Sequence, residues 1–371
     1  MPHHSILFLS HFFGPNPGNF IRSLLALEEH LLHSAPDGSL QVVYAFPEQC
    51  RAFAWCQNMA AQNRRLYFYQ NGTTADDLRF LEDVVRRENV VLIHTHFEAL
   101  GRAIYRFRLR HPKIPVFWHK HNDFSLGRPL EPATWKHRIK EVLRDMLVVT
   151  VAVSPHLKTP RGHVLLNHLD TRSIPHISDA EREAFRKSCG LCENDIMILM
   201  FGWNKPVKGV DIGCRMLAHL PEPLRRRCKL CVIMEDSEEN RRYVAEHCAF
   251  PEQVLFLKNT DHIFLYHRSA DIMLSAARSE AFAYTIFEAL AVETPVVTSD
   301  IPGVQWSRSY PNVRFFPTED PKACAQAVCD ALANADPDLD RSIAVQIRED
   351  FAISKWCACL LDLYRKHGVR I

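Results

Sequence analysis

The sequence predicts an α/β protein built from two Rossmann-like parallel-sheet domains. Three observations carry this. The chain has 371 residues, too many for one small core and suited to two domains of about 150–200 residues each. Short apolar runs rich in β-branched and aromatic residues alternate with longer amphipathic stretches, the pattern of strand–helix units with right-handed crossovers. That pattern runs twice, with a break near Asp170–Asp179, where Pro175 and polar residues precede a new helix at Glu181–Ser188.

Strands are expected at Ser5–Ser10, Leu40–Phe46, Arg65–Tyr69, Val90–His94, Ile114–His119, Val148–Val153 and His163–Leu166. A second series follows at Ile196–Phe201, Lys229–Met234, Val254–Leu257, Ile272–Ser275, Pro295–Thr298 and Val313–Phe316. Most are continuous apolar runs, not strict alternations, which suits strands buried on both faces of a parallel sheet. Helices are expected between them, for instance at Phe20–His33, Asp76–Glu88 and Thr285–Val292. The division implied is an N-terminal domain over 1–172 and a C-terminal one over 173–352. The last helix, Ile353–Lys366, comes after the second strand series and is expected to pack back on the first domain. Open α/β sheets bind ligands at the carboxyl ends of their strands, so function is sought there.

Composition narrows the function. The hydrophobic fraction of 47% and charged fraction of 24% are ordinary for a globular protein. A net charge of +2 gives no reason to expect a nucleic-acid partner. No run approaches the 18 or so apolar residues of a membrane span, and the first residues read as a strand instead of a signal peptide, so a cytoplasmic location is expected. Twelve cysteines include the pairs Cys189/Cys192 and Cys228/Cys231. Cys231 sits inside a strand-like run and Cys189 at a helix end, an arrangement unlike the tight turns of zinc ribbons, so no zinc is expected there.

The most informative segment is Ser279-Glu280-Ala281-Phe282-Ala283-Tyr284-Thr285-Ile286-Phe287-Glu288-Ala289-Leu290-Ala291, which follows a strand and opens a helix. Free N–H groups and the helix dipole at such a terminus favour an anion such as a diphosphate. The two carboxylates are suited to accept hydrogen bonds from sugar and ribose hydroxyls. In the first domain, Gly14-Pro15-Asn16-Pro17-Gly18-Asn19 joins the first strand to a helix, either as a plain turn or with Gly18 admitting a phosphate or acceptor close to the backbone. Ile93-His94-Thr95-His96 and Trp118-His119-Lys120-His121-Asn122-Asp123 end two strands. Histidines two apart on a strand share a face, so the four could imitate a metal site, but that is not the preferred reading; plain core histidines are the alternative to a role at the strand ends. Asp336-Pro337-Asp338-Leu339-Asp340 looks like a metal-binding acidic motif but is read as a solvated turn between helices. The basic stretches Arg102–Lys113 and Lys136–Arg144 are read first as solvated helix faces, diluted by Glu141 and Asp145. The alternative is peripheral contact with anionic lipid or with phosphate on a lipid-linked acceptor.

With these residues in view, the chain resembles glycosyltransferase family 4, whose signature is E-x7-E in the second domain of a GT-B fold. Leu265–Ile272 is similar to the family's helix-to-strand approach, and Glu288–Ala291 with Pro295–Asp300 to its exit. Phe201-Gly202 with Lys208-Gly209-Val210-Asp211 is similar to its G-R-x4-K-G element, and Asn167–Asp170 to the N-G-x-D that ends the first domain. The resemblance implies two domains facing each other across a cleft and a retaining transferase. A sugar would pass from a nucleotide-diphosphate-sugar to a glycan, glycolipid or small-molecule acceptor. It implies that Glu288 binds the ribose, Glu280 contacts the donor sugar, and the backbone at Phe282 and Ala283 approaches the diphosphate. Lys208 would stabilise the departing diphosphate, with Gly202 and Gly18 letting backbone close on the donor. His121 would line the catalytic cleft, His119 being the alternative. The departing phosphate would take the acceptor's proton, with no divalent metal or other cofactor.

Three departures mark this chain. Trp203 stands at the family's arginine, leaving Lys205 to supply charge as a point cation. Ala281 and Ala283 stand at frequent glycines, and Glu293 at the helix-ending glycine. Trp203 and Glu293 keep in view a degenerate transferase acting as a partner subunit; the other class weighed is a two-lobed sugar- or nucleotide-binding protein.

Overall fold

The computed structural model describes residues 3–35, 38–70, 72–121, 135–168, 170–171 and 174–369. Asn122, Asp123 and Leu169, named in the motifs above, lie outside the described residues. The chain divides into two compact units: described residues before 171 and after 350 form the first, and 171–350 the second.

The first unit holds a seven-stranded sheet of β1 (His4–Ser10), β2 (Leu40–Pro47), β3 (Arg65–Tyr69), β4 (Val90–His96), β5 (Val116–Lys120), β6 (Val149–Ala152) and β7 (His163–Val164). Its order is β3-β2-β1-β4-β5-β6-β7, and every pairing is parallel. The second unit holds β8 (Ile196–Phe201), β9 (Cys228–Ile233), β10 (Val254–Leu257), β11 (Ile272–Ser275), β12 (Val296–Ser299) and β13 (Val313–Phe316) in the order β10-β9-β8-β11-β12-β13, again all parallel. This is the doubly wound arrangement in both units. Strand order reverses between β1 and β4 in one and between β8 and β11 in the other. A parallel sheet opens a crevice at such a switch point because successive connections leave to opposite faces.

Burial explains the strand sequences. One face of the first sheet puts Ile6, Phe8 and Phe117 against Leu24, Leu27 and Leu31 of the helix Gly18–Ser34 and Leu360 and Tyr364 of the helix Ile353–Lys366. The other face puts Leu7, Leu9 and Ile93 against Leu81 and Val84 of the helix Thr74–Arg87 and Ile104 and Phe107 of the helix Gly101–Arg110. Each such side chain contributes roughly 1.5–3 kcal/mol. Helices begin where the sequence provides caps. Thr73 with Asp76, and Ser178 with Glu181, form reciprocal capping boxes, and the second starts the helix Asp179–Ser188.

All thirteen expected runs form strands, with differences at their ends. β4 continues to His96, and β5 begins at Val116 because Pro115 has no N–H to offer the ladder. One reading is corrected. Asp336–Asp340 is not a solvated turn: Asp336 accepts from the amides of Asp338 and Leu339 at 3.1 Å and opens the helix Pro337–Asp350. Asp340 is buried and accepts a 2.7 Å hydrogen bond from Asn312. The helix Trp135–Leu147 turns Trp135, Leu143 and Met146 to solvent. No helix among the described residues is long and apolar enough to cross a membrane.

Candidate functional site

In the second unit the site grows from the ends of β8 and β11, the two strands flanking the switch point. After β8, Gly202 is held tight by packing: a Cβ there would come within 2.7 Å of Val232 Cγ1. Asn204 in the left-handed region (φ 51°) turns the chain into the short helix Lys205–Lys208. Gly209 ends that turn at φ 67°, and its missing Cβ is needed, because one would strike the carbonyl of Ala276 just beyond β11. The turn therefore lies directly on the β11 loop.

Arg278 fastens the two. Its amide donates to Val207 O at 2.8 Å, and its guanidinium reaches Pro206 O, the buried Asp211 at 2.9 Å through two nitrogens, and Glu319. A planar fork on a buried carboxylate fixes position as a flexible lysine would not. Arg278 was not singled out from the sequence; it lies 67 residues from Asp211, and only the sheet order brings them together.

Thus fixed, Lys208 donates to Glu280 Oε1, and both side chains are largely buried. The ammonium also lies 4.6 Å from the ring centroid of Trp203, a cation–π contact. Trp203, at the family's arginine position, thus serves as a face for Lys208. Lys205 points elsewhere and is engaged by Glu239 at 2.8 Å and Asn240 at 2.7 Å. Gly303 is a further residue the sequence did not single out. A Cβ there would collide with the carbonyl of Glu280, so it sets how closely the Pro302–Ser309 segment approaches the loop.

The helix Tyr284–Leu290 follows with no side chain capping its first turn. Phe282 and Ala283, just before it, are buried, and Phe282 stacks on Trp306 at 5.0 Å. Glu288 is buried within the helix, its Oε2 3.8 Å from Nε2 of the buried His267. A helix start with no side-chain cap, a buried ammonium and two carboxylates together offer donors and acceptors of the kind that phosphate and sugar hydroxyls pair with. Glu293, at the helix-ending glycine position, adopts φ 64°, the conformation that explains why glycine is usual there.

The corresponding end of the first unit is chemically different. Gly18 opens the helix Gly18–Ser34 at φ 53° with nothing within 4 Å of where a Cβ would stand. Phe20, two residues on, meets Phe97 at 4.8 Å and His121 at 5.5 Å. His121 is half-buried just past β5, stacked on Phe97 at 4.6 Å, with Nε2 2.9 Å from His96 Nδ1. Burial among these rings pushes its pKa down to about 3. His119 is fully buried instead. Phe97, Glu98 and Leu100 all have positive φ, between 51° and 54°, so the β4 loop holds a costly backbone at the switch point. The sequence did not announce this. The four paired cysteines are all free, and Cys228 and Cys231 are buried in β9.

Residues 181–349 match the family described as glycosyl transferases group 1. The lipopolysaccharide glucosyltransferase WaaG of Escherichia coli is 30% identical over 122 residues, 33% of this chain and 33% of its own length. A D-inositol 3-phosphate glycosyltransferase of Xylanimonas cellulosilytica is 30% identical over 145 residues, 37% of this chain and 34% of its own. The chain thus spans about a third of the length of these curated relatives. Among solved structures, HepE of Anabaena in complex with UDP superposes with a TM-score of 0.76 at 15% identity, over 98% of this chain and 100% of its own. Sucrose-phosphate synthase of Thermosynechococcus elongatus gives 0.74 at 16% identity, over 98% and 99%. The chain has the GT-B fold of these structures, two Rossmann-like parallel-sheet units, and its second unit matches glycosyl transferases group 1.

Proposed function

We propose that this chain is a retaining glycosyltransferase using a nucleotide-diphosphate-sugar donor held by the second unit. The observation that carries the reading is the Lys208–Glu280 pair, buried at the β8/β11 switch point inside the segment that matches the family. On this reading Glu280 directs the ammonium while accepting from a donor-sugar hydroxyl. Glu288 accepts from the ribose, and the amides of Phe282 and Ala283 meet the diphosphate. Gly202 keeps the β8 end thin enough for the donor to approach. Lys205, engaged by Glu239, contributes only to the field of the site. UDP, the nucleotide bound by HepE, is the first donor base to try.

In the transfer, the acceptor oxygen forms its bond to the anomeric carbon on the face from which the diphosphate departs. The carbon–oxygen bond to phosphate breaks, and the acceptor's proton passes to the departing phosphate oxygen. Charge grows on the leaving group as the sugar becomes oxocarbenium-like, so a preorganised cation such as Lys208 stabilises the transition state more than the ground state. His121, kept neutral, is suited to accept a hydrogen bond from a hydroxyl of a ligand bound at the first unit. The mechanism uses no metal in this step. The acceptor is a glycan, glycolipid or small molecule presented to the first unit in the cytoplasm. The exposed Trp135, Leu143 and Met146 support peripheral membrane contact there.

The test is turnover. Purified protein is incubated with UDP-sugars and candidate acceptors, released UDP is quantified, and the anomeric configuration of the product is read by NMR. Release that requires acceptor, with configuration retained, is expected. An inverted product would remove the same-face mechanism, and UDP release indifferent to acceptor would point to an epimerase or hydrolase of the same fold.

A further inference from the structure

Behind His121 the first unit buries a set of imidazoles that the transfer reading does not use. His94 and His96 lie two apart on β4 and so share a face of the sheet. The parallel register of β4 with β5 sets His119 opposite His96. The rings of His94 and His119 are stacked 5.3 Å apart and 5° from parallel, and those of His94 and His96 are 4.2 Å apart. All three side chains are at most 1% exposed. One nitrogen from each lies within 4.8 Å of the others.

Hydrogen bonding decides which nitrogens face inward. His94 Nδ1 is 2.5 Å from the hydroxyl of Tyr364, and His96 Nδ1 is 2.9 Å from His121 Nε2. The remaining nitrogens, Nε2 of His94 and of His96 and both of His119, are buried without a hydrogen-bond partner. Each orphaned buried polar atom forfeits its hydration without a replacement, so this many in one place asks for an occupant. Apolar packing supplies none, and a proton would add charge to a buried ring.

We propose that His94, His96 and His119 form a buried binding site for one divalent transition-metal ion of the zinc class. Neutral imidazole is the ligating form, and burial holds all three rings well below the usual histidine pKa. Nδ1–H donation from His94 to Tyr364 and from His96 to His121 fixes the tautomer that presents Nε2 to the ion, the outer-shell arrangement typical of metal-bound histidine. Zinc–nitrogen bonds of about 2.0–2.1 Å require the ligating nitrogens to close in from a spacing of up to 4.8 Å and the stacked rings of His94 and His119 to turn toward a common point. Three neutral ligands leave the ion its positive charge and a fourth position, which water or hydroxide fills. The ion is a structural and positioning element: it locks β4 to β5 and, through His96, sets the ring of His121. It departs from the sequence expectation, in which the four histidines only imitate a metal set and no metal is bound, and does not depend on the transferase reading.

The experiment measures metal by mass spectrometry in protein purified without a histidine tag, then titrates zinc and cobalt(II) into chelator-treated protein. About one equivalent of zinc per chain, a rise in melting temperature on adding it back, and a tetrahedral cobalt absorption band are expected. His94→Asn and His119→Asn should each abolish the band. Cys189→Ser with Cys192→Ser should leave it intact. Should either histidine variant fail to fold, the cobalt spectrum of the wild-type protein still decides, since nitrogen-only ligation lacks the thiolate charge-transfer band in the near ultraviolet. Less than a tenth of an equivalent bound, with no thermal response to either metal, would overturn the site. So would zinc retained in full by a folded His119→Asn protein.

Discussion

The two units share one strand order and yet put opposite chemistry at the same place. At the β8/β11 switch point the second unit gathers Lys208, Glu280 and, behind them, the Arg278–Asp211 fork. At the β1/β4 switch point the first unit gathers Phe20, Phe97 and His121 over three neutral, buried histidines. Topology fixes where a ligand can bind, and side chains fix which ligand. On the proposed reading, the charged end takes the diphosphate of the donor, and the aromatic and imidazole end takes an uncharged sugar or acceptor, where excluding water matters more than neutralising charge.

The charged end carries the largest expected effect. Lys208→Ala should lower kcat for transfer by about 100- to 1,000-fold, the range for losing one preorganised transition-state contact. The loss should exceed any change in donor KM, and steady-state kinetics with UDP-sugars would check the split. Equal effects on both would make Lys208 a general binding residue.

The uncharged end is tested by acid. His94, His96 and His119 have folded pKa values below the ordinary 6.5, so the unfolded chain binds more protons than the folded one as pH falls. Stability is therefore present above pH 6.5 and lost below it. The loss is up to about 3 kcal/mol for the three between pH 6.5 and about 5.5. Melting curves of chelator-treated protein over that range should show the decline, and His119→Asn should flatten it.

Packing effects come next. Gly303→Ala should cost about 2 kcal/mol, because its Cβ meets the Glu280 backbone, and should lower the melting temperature by about 4–8 °C. It should impair donor binding as well, since the loop it displaces carries Glu280. Smallest is Glu293→Gly, which relieves a left-handed glutamate and forfeits only a 3.6 Å contact with Arg268. A gain of about 0.5 kcal/mol, roughly 1–2 °C, is expected by calorimetry.

These residues also show what a sequence can and cannot reveal. The strands and the segment from Glu280 to Glu288 were legible because a strand–loop–helix unit is local, its apolar period and motif spacing lying within some twenty residues. Lys208-Gly209 was legible only through its resemblance to the G-R-x4-K-G element, not as the turn it forms. Its fastening by Arg278, the approach of Gly303 to Glu280, and the burial of Asp340 against Asn312 were not, because each joins separate elements that only the sheet order brings together. Trp203 was legible as a departure but not as the ring beside Lys208. The histidine set was visible as two pairs, and the β4/β5 register makes it one cluster.

The most direct test of the central claim is thermal stabilisation by nucleotides, comparing the wild-type chain with Lys208→Ala and Glu288→Ala. Binding to the native state alone at one hundred times Kd adds about 2.7 kcal/mol. A shift with UDP or another nucleoside diphosphate, reduced in both variants, is the predicted result. No shift with any nucleoside diphosphate or nucleotide-sugar from well-folded wild-type protein would contradict a donor site in the second unit.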